Sequence, residues 1–265
     1  MTPRGVATAL YGWMERFRRE GVEWDWRTLY GACAQAGVDA VETDPLPEKL
    51  AILRDLGLAV SASYVGMPLH TAVPDAALRE RVLPVAERLA AAGGRDLILN
   101  ADPIEGAPPK TDDDARRQGE AMSRVASLVE PLGLAVSMHN HAADPAQAEL
   151  DLRSVIAYAD ARVGLCIDTG WALVAGADPV AWARSHGDRV RALHLRDIDG
   201  RGIPTEALGS EAPGTGRLDL AALLAALPRF DGWLTLELWH PDAMKPSVSF
   251  VEANRRSAAL LRALA

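Results

Sequence analysis

The sequence predicts a single (β/α)₈ barrel, and three observations support this fold. The chain has 265 residues, close to the roughly 250 residues of a typical barrel of this kind. Short segments with strand character alternate with amphipathic helical segments along its whole length. No linker, low-complexity tract or break in composition divides the chain, so we expect one domain over residues 1–265.

Eight segments have the length and composition of buried strands. Successive segments begin far enough apart to leave room for a crossover helix each time. Glycine turns precede several of them, as happens where a helix ends and a strand begins in a βα repeat. The predicted strands are Val6–Tyr11, Asp39–Thr43, Leu58–Ser63, Asp96–Ala101, Leu134–His139, Val163–Asp168, Arg191–Leu195 and Trp233–Leu238.

The segments between the strands are rich in alanine, leucine and arginine with helical periodicity. Thr111, which precedes three aspartates, predicts a helix start. Pro145, Pro179 and Pro246 are expected in first helical turns. A doubly wound sheet is the alternative fold, but it would need a glycine-rich phosphate loop after the first strand, and residues 11–16 do not form one. The clearest helical segments are Asp75–Ala92, Thr111–Leu132, Leu218–Leu227 and Ser247–Leu264.

Composition and charge exclude several classes of protein. Apolar residues make up 49% and charged residues 24% of the chain, which is ordinary globular usage. A net charge of −8 disfavours a surface that binds nucleic acid through its phosphates. No segment approaches the roughly 20 apolar residues that span a bilayer. Cys33 and Cys166 are too few for a disulfide framework, so we expect a reducing, cytoplasmic location.

Polar residues recur at the predicted strand ends, where catalytic side chains of a barrel lie. His139, Asp168, His194 and Glu237 come from the ends of strands five, six, seven and eight. One histidine at a strand end is usually an ordinary polar residue, but four such residues on successive strands predict a divalent-cation site. The mixed nitrogen and oxygen set fits Mn²⁺, Fe²⁺, Co²⁺ or Zn²⁺ better than Ca²⁺. We expect one divalent ion per chain, Mn²⁺ in the first place, with Co²⁺, Mg²⁺ and Zn²⁺ as alternatives.

Several short motifs, taken in order, resemble the sugar isomerase/epimerase superfamily with the xylose-isomerase-like TIM barrel. This group includes inosose dehydratase, tagatose epimerase and hydroxypyruvate isomerase. The resemblance implies a small-molecule carbohydrate substrate. It leaves the oligomeric state open, although members are often dimers or tetramers and a homo-oligomer is one of the expectations. Charge and composition predict no nucleic acid or membrane partner. The motifs are GVDAVET at 37–43, HNH at 139–141, CIDTG at 166–170, HLRD at 194–197, PGTGRLD at 213–219 and GWLTLEL at 232–238.

The resemblance also implies how the metal is held. Members of the group bind one divalent ion through residues of strands five to eight, and Asp168, His194 and Glu237 match three of those positions. The fourth position is a departure, because many relatives have glutamate where this chain has His139. A second departure is Trp171, where many relatives have a histidine.

The chemistry implied by the resemblance is proton abstraction next to a carbonyl, with the metal stabilising the enediolate. Glu237 matches one of the two proton-carrying glutamates of the epimerases. The second proton carrier is open between His141, which follows His139 by two residues, and Glu42 from strand two. His141 could instead replace His139 as the ligand, and Glu42 could form a structural ion pair. We expect His139 and His141 to point into the barrel mouth, with Asn140 turned toward the surrounding shell.

Further residues are predicted to surround the reacting groups. Arg217, in the loop after strand seven, is a candidate for binding substrate oxygens, although this glycine-rich loop could be only a lid. Asp197 is expected to orient His194 or a metal-bound water. Indoles near the ends of strands one, six and eight could stack on a sugar or only pack at the rim. These are Trp13, Trp171 and Trp239.

The leading functional prediction is a metal-dependent isomerase or epimerase of a small sugar, keto-sugar or polyol. The alternative is a lyase, such as a dehydratase of a cyclic keto-polyol, and His139 in place of glutamate favours it. Elimination needs one base and one acid, whereas epimerisation needs two opposed proton carriers. DNA repair of the endonuclease IV type would need more metal ligands, and the acidic balance also argues against it. A non-enzymatic binding barrel is the remaining alternative.

Overall fold

Eight parallel strands close into one barrel in the order β1 to β8, and β1 pairs with β8 to complete it. The computed structural model describes residues 2–104, 109–142, 144–198, 209–240, 244 and 246–265. The predicted (β/α)₈ fold is confirmed. The strands are β1 (Val6–Ala9), β2 (Ala40–Glu42), β3 (Ala59–Met67), β4 (Asp96–Ala101), β5 (Ala135–His139), β6 (Val163–Asp168), β7 (Val190–Leu195) and β8 (Leu234–Leu236).

Helices surround this barrel and cover the outward faces of its strands. They bury leucine, valine and alanine side chains in one large apolar core. A second cluster joins Ala62, Ile98, Cys166 and Ala192 from four strands, as expected for side chains that fill the barrel interior. The helices are α1 (Tyr11–Arg19), α2 (Trp26–Gln35), α3 (Pro47–Asp55), α4 (Asp75–Ala91), α5 (Asp112–Val129), α6 (Pro145–Ile156), α7 (Thr169–Val174), α8 (Pro179–His186), α9 (Leu220–Ala225) and α10 (Phe250–Leu264).

Most predicted helix starts are confirmed. Thr111 and Asp114 form a reciprocal capping box at the start of α5. Pro145 and Pro179 are the first residues of α6 and α8. The prediction for Pro246 is wrong, because α10 begins only at Phe250. The Ser249 hydroxyl caps this helix by accepting the backbone N–H of Glu252, which leaves Pro246 outside the first turn.

The strand boundaries differ from prediction mainly at β3 and β8. β3 continues to Met67 because it stays paired with β4 over Ala62–Met67, and this extension carries Tyr64. β8 is shorter than predicted, so Glu237 lies directly after its last residue.

Cys33 and Cys166 are both buried and free. Among the described residues, no helix combines the length and apolar character that crossing a membrane requires.

Candidate active site

Four residues predicted as metal ligands meet at the carboxyl end of the barrel. One potential ligand atom from each of His139, Asp168, His194 and Glu237 lies within 4.8 Å of the other three. The three residues on β5, β6 and β7 are buried, and the Glu237 side chain retains 13% exposure. Parallel strands bring the residues together because their carboxyl ends share one rim of the barrel. We refer to these four residues as the ligand cluster.

The ligand cluster contains close contacts that are not all hydrogen bonds. His194 Nδ1 lies 2.8 Å from Glu237 Oε2, but both buried atoms lack a hydrogen-bond partner among the described residues. His139 Nε2 lies 3.3 Å from Asp168 Oδ2 and 3.9 Å from Glu237 Oε2. Imidazole nitrogens and carboxylate oxygens are the donors that Mn²⁺, Fe²⁺ and Zn²⁺ accept in proteins. The closeness of these atoms and the donor types therefore fit a divalent ion.

Both carboxyl groups of the ligand cluster are kept ionised. Burial by itself raises the pKa of Asp168, but the Arg196 charge and His139 hold it well below its usual value. Burial likewise raises the pKa of Glu237, and Arg196 and His194 lower it below its usual value. Two ionised carboxylates at one buried point attract a positive charge.

Arg196 is a functional candidate that the sequence analysis missed. Its side chain is 5% exposed, and its Nε donates to Asp168 Oδ2 at 2.8 Å. Its Nη2 donates to the same oxygen and lies 3.1 Å from Glu237 Oε2. The HLRD motif at 194–197 could have indicated Arg196 from sequence. Arg196 follows His194 by two residues, a spacing that places both side chains on one face while a strand continues.

Two further residues hold the ligand cluster in place. Glu42 Oε2 lies 2.9 Å from His194 Nε2, on the opposite side of the ring from the nitrogen that faces Glu237. Asn140 accepts the backbone N–H of Asp168 at 2.8 Å and donates to its carbonyl oxygen at 3.0 Å. Asn140 is therefore turned to the end of β6. The Glu42 contact is the kind that orients a metal-binding histidine.

Asp197 has a different environment from the one predicted. β7 ends at Leu195, and the buried carboxylate beyond it turns to the PGTGRLD loop rather than to His194. Only glycine fits at position 216, because a Cβ there would lie 2.0 Å from the Ile198 carbonyl oxygen and 2.8 Å from Asp197 Oδ1. Asp197 thus organises a loop. It accepts backbone N–H groups from Ile198, Gly214, Gly216, Arg217 and Leu218.

Two predicted substrate contacts do not lie at the pocket. The Arg217 residue is exposed, and its backbone N–H is bound by Asp197. Trp13 is 1% exposed, packs edge-on against Phe250 and donates its indole N–H to Thr8 Oγ1. Trp13 is therefore a core residue, and neither side chain lines the cavity over the ligand cluster.

A cavity of about 570 Å³ opens over the ligand cluster. His141 lies in it with its ring centroid 4.3 Å from that of Trp171. Burial, followed by the charges of His139 and Arg196, lowers the pKa of His141 to about 4. Its imidazole is therefore neutral at physiological pH and has a lone pair to accept a proton.

The wall of the cavity divides between two halves of the barrel. The first half, up to β3, supplies mainly aromatic and aliphatic side chains, and sequence analysis singled out none of these. They are Leu10, Tyr11, Met14, Trp26 and Tyr64. The second half supplies the remaining ligand-cluster residues of the wall, His141, Arg196 and the predicted indoles of Trp171 and Trp239, while Glu42, Thr43 and Lys49 are the polar members of the first half. Its members are His139, His141, Trp171, Arg196, Glu237 and Trp239.

Comparison with solved structures gives matches that cover almost the whole chain. A sugar phosphate isomerase/epimerase from Parabacteroides distasonis superposes with a TM-score of 0.71 at 18% identity, covering 99% of this chain and 95% of that one. A D-allulose 3-epimerase from Methylomonas sp. gives a TM-score of 0.69 at 16% identity, with 100% and 99% covered. At these identities the likeness shows a shared fold.

Curated relatives match parts of the chain at low identity, and a family model matches most of it. An inosose dehydratase from Lacticaseibacillus casei is 23% identical over 176 residues, covering 61% of this chain and 58% of that protein. One from Geobacillus kaustophilus is 27% identical over 144 residues, covering 48% and 46%. The chain thus matches only about half to three-fifths of these relatives' length. Residues 30–264 match the family described as "Xylose isomerase-like TIM barrel". This chain belongs to the xylose isomerase-like TIM barrel family.

Proposed function

We propose that this protein is a divalent-metal-dependent isomerase or epimerase of a sugar, keto-sugar or polyol derivative that removes a proton next to the substrate's carbonyl or latent carbonyl. The observation that carries the proposal is the ligand cluster, whose four donor atoms lie within 4.8 Å of one another beneath the cavity. The names of the similar proteins, which include sugar epimerases and inosose dehydratases, support a carbohydrate substrate.

Each residue of the ligand cluster has a defined task in this proposal. His139, Asp168, His194 and Glu237 would hold the ion, for which we expect Mn²⁺. When bound, a divalent ion supplies Lewis acidity that polarises a carbonyl oxygen. Glu42 keeps His194 in one orientation through its contact with the outer ring nitrogen.

His141 is the proposed proton carrier. It lies in the cavity as a neutral imidazole, and its ring centroid is 5.7 Å from that of His139. Glu42 is the weaker candidate, because its carboxylate already engages His194. Glu237 is proposed as the second acid–base group. It lines the cavity, whereas Asp168, the other carboxylate of the ligand cluster, does not.

Aromatic side chains are proposed to bind the substrate. Trp171 and Trp239 line the cavity, where an indole can stack on the apolar face of a sugar ring. The buried indole N–H of Trp171 has no hydrogen-bond partner among the described residues. A substrate hydroxyl could accept it, since a buried donor without a partner is costly.

The second candidate function is a dehydratase acting on a cyclic keto-polyol. His139 in the ligand cluster favours it, because many epimerases have a proton-carrying glutamate at this position and an imidazole that holds the ion cannot act as a base. Elimination needs one base and one acid, a role that His141 and Glu237 could share. The curated relatives named inosose dehydratase also support this candidate.

One experiment tests both candidates. The purified protein is reconstituted with Mn²⁺ and incubated in D₂O with a panel of ketoses and keto-inositols. Isomerisation or epimerisation gives a new sugar with deuterium at the reacting carbon, detected by NMR. Elimination gives an enone with a new ultraviolet absorbance. A protein that binds no divalent ion and exchanges no substrate proton contradicts the proposal.

A further inference from the structure

A positively charged side chain already contacts the oxygens that a divalent ion would use. Arg196 Nε and Nη2 both donate to Asp168 Oδ2, and Nη2 lies 3.1 Å from Glu237 Oε2. These same two oxygens face the histidines of the ligand cluster. His139 Nε2 lies 3.3 Å from the Asp168 oxygen, and His194 Nδ1 lies 2.8 Å from the Glu237 oxygen.

The other oxygen of Asp168 has a different partner. Asp168 Oδ1 accepts the backbone N–H of Trp171 at 2.8 Å and so caps the N-terminus of α7. Using Oδ1 for metal binding would disturb that cap. A cation bound by the ligand cluster therefore has to use Oδ2, the oxygen to which Arg196 donates.

Two cations at this buried point repel each other strongly, because water screens their charges poorly there. Arg196 also has an alternative position. It lines the cavity, and its guanidinium carbon lies 5.8 Å from the Trp171 ring centroid. Guanidinium groups stack on indoles, so the side chain can leave the carboxylates without becoming exposed to bulk solvent.

We propose that Arg196 is an exchangeable internal cation of the site. It binds Asp168 Oδ2 and Glu237 Oε2 in competition with the divalent ion, and it turns toward Trp171 and the cavity when the ion takes those oxygens. The inference rests on the metal site of the proposed function. It predicts that removing a residue in direct contact with two ligands strengthens metal binding.

The test is calorimetric titration of the purified protein with Mn²⁺. We expect Arg196→Met to bind Mn²⁺ about tenfold more tightly than the unmodified chain, or tighter still, because a competing buried charge is gone. Arg196→Gln, which is neutral but keeps hydrogen-bonding groups, should bind more tightly as well, and it serves if the methionine variant does not fold. Arg184→Met removes an exposed arginine of α8 and should leave the affinity unchanged.

The outcomes separate this inference from the proposed function. Equal or weaker Mn²⁺ binding by folded Arg196 variants overturns the inference, since it would mean that the arginine only supports the carboxylates. Absence of Mn²⁺ binding in every variant and in the unmodified chain overturns the proposed function itself. Crystals of the unmodified chain grown with Mn²⁺ give a second readout. We expect the guanidinium to be displaced from Asp168 Oδ2, and an unchanged Arg196–Asp168 bond beside a bound ion also overturns the inference.

Discussion

The carboxylate of Glu42 on β2 reaches across the barrel to the ring of His194 on β7, where its Oε2 lies 2.9 Å from Nε2. His194 therefore directs Nε2 to Glu42 and Nδ1 to Glu237. A histidine whose outer nitrogen is held by a carboxylate is fixed in both tautomer and ring orientation. This contact supports a positioning role for Glu42 over the proton-carrying role considered from sequence.

The first prediction tests that role. We expect Glu42→Ala to lower Mn²⁺ affinity by roughly 10- to 100-fold, the usual effect of losing a partner of a metal-binding histidine. Glu42→Gln keeps an acceptor for His194 and should restore most of the affinity. Calorimetric titration measures both variants. Unchanged Mn²⁺ affinity with a large loss of turnover would instead identify Glu42 as a proton carrier.

The second prediction concerns the carboxylates of the ligand cluster. Asp168→Asn and Glu237→Gln should each lose most activity and bind Mn²⁺ more weakly, because an amide is a poorer ligand than a carboxylate. Circular dichroism should show that both variants keep the barrel. Turnover is measured with the substrate found in the screen. Near-normal turnover at full metal occupancy would remove that residue from the proposed site.

The third prediction separates the two histidines of the HNH motif. His139→Ala should lower Mn²⁺ affinity, since His139 belongs to the ligand cluster. His141→Ala should keep the ion but reduce turnover by roughly 10²–10⁴-fold, the usual contribution of a positioned acid–base group. Metal analysis and steady-state kinetics on both variants distinguish the roles. The reverse pattern would exchange them, and no effect in either variant would make the motif structural.

The fourth prediction concerns the loop held by Asp197. Its carboxylate accepts five backbone N–H groups, including those of the buried residues Ile198 and Leu218, so Asp197→Ala removes the acceptor that holds the whole loop. We expect a loss of about 3 kcal/mol or more in the free energy of unfolding, measured by urea titration. Arg217→Ala is the matched control, because it keeps the backbone N–H bound to Asp197. Equal stability of the two variants would contradict the assignment.

The fifth prediction concerns pH and His240, a buried residue whose ring nitrogens have no hydrogen-bond partner among the described residues. Burial, followed by the Arg16 charge, lowers the pKa of His240 to about 4, while Glu211 opposes the shift. The unfolded chain binds this proton near pH 6.5. The stability contribution is therefore complete above about pH 6.5 and is lost as the pH falls toward 4.

Between pH 7 and pH 5 this histidine should cost the unmodified chain about 2 kcal/mol of unfolding free energy. His240→Leu removes the titrating group without breaking a side-chain hydrogen bond among the described residues. Its loss of stability over the same range should be smaller by about that amount. Urea titrations at the two pH values measure the difference. The same loss in both proteins would show that His240 titrates alike in the folded and unfolded states.

The fold and the ligand cluster were predictable from sequence because both follow from regular spacing. Strand and helix periods recur along the chain, and a barrel collects its strand ends at one rim. His139, Asp168, His194 and Glu237 could therefore be grouped without coordinates. The loops after the strands obey no such rule. Asp197 lies three residues beyond His194, a spacing that already puts the two side chains on opposite faces of a strand, and because β7 ends at Leu195 the loop decides which partner Asp197 meets.

The residues of the cavity wall were less predictable, because the packing of helices against the barrel determines which side chains face the cavity. Trp13 and Trp171 both follow strand ends, but Trp13 packs edge-on against Phe250 in the core and Trp171 faces the cavity. Tyr64 reaches the site only because β3 is longer than its sequence pattern indicates, and its ring then lies edge-on to His139. Such positions depend on which face of an element meets its neighbours.

The division of the cavity wall between two halves of the barrel has a consequence for evolution. The ligand cluster belongs wholly to β5–β8 and the residue after β8, whereas the aromatic and aliphatic wall, apart from Trp171 and Trp239, comes from β1–β3 and the helices between them. Mutations in the first half, except at Glu42, which holds His194, can reshape the cavity while the ligand cluster stays intact. Substitutions that accumulate in the first half can thus change which substrate fits the cavity, while the second half keeps the ligand cluster. Directed-evolution libraries for altered substrate preference are best confined to that first half, at positions such as Met14 and Trp26.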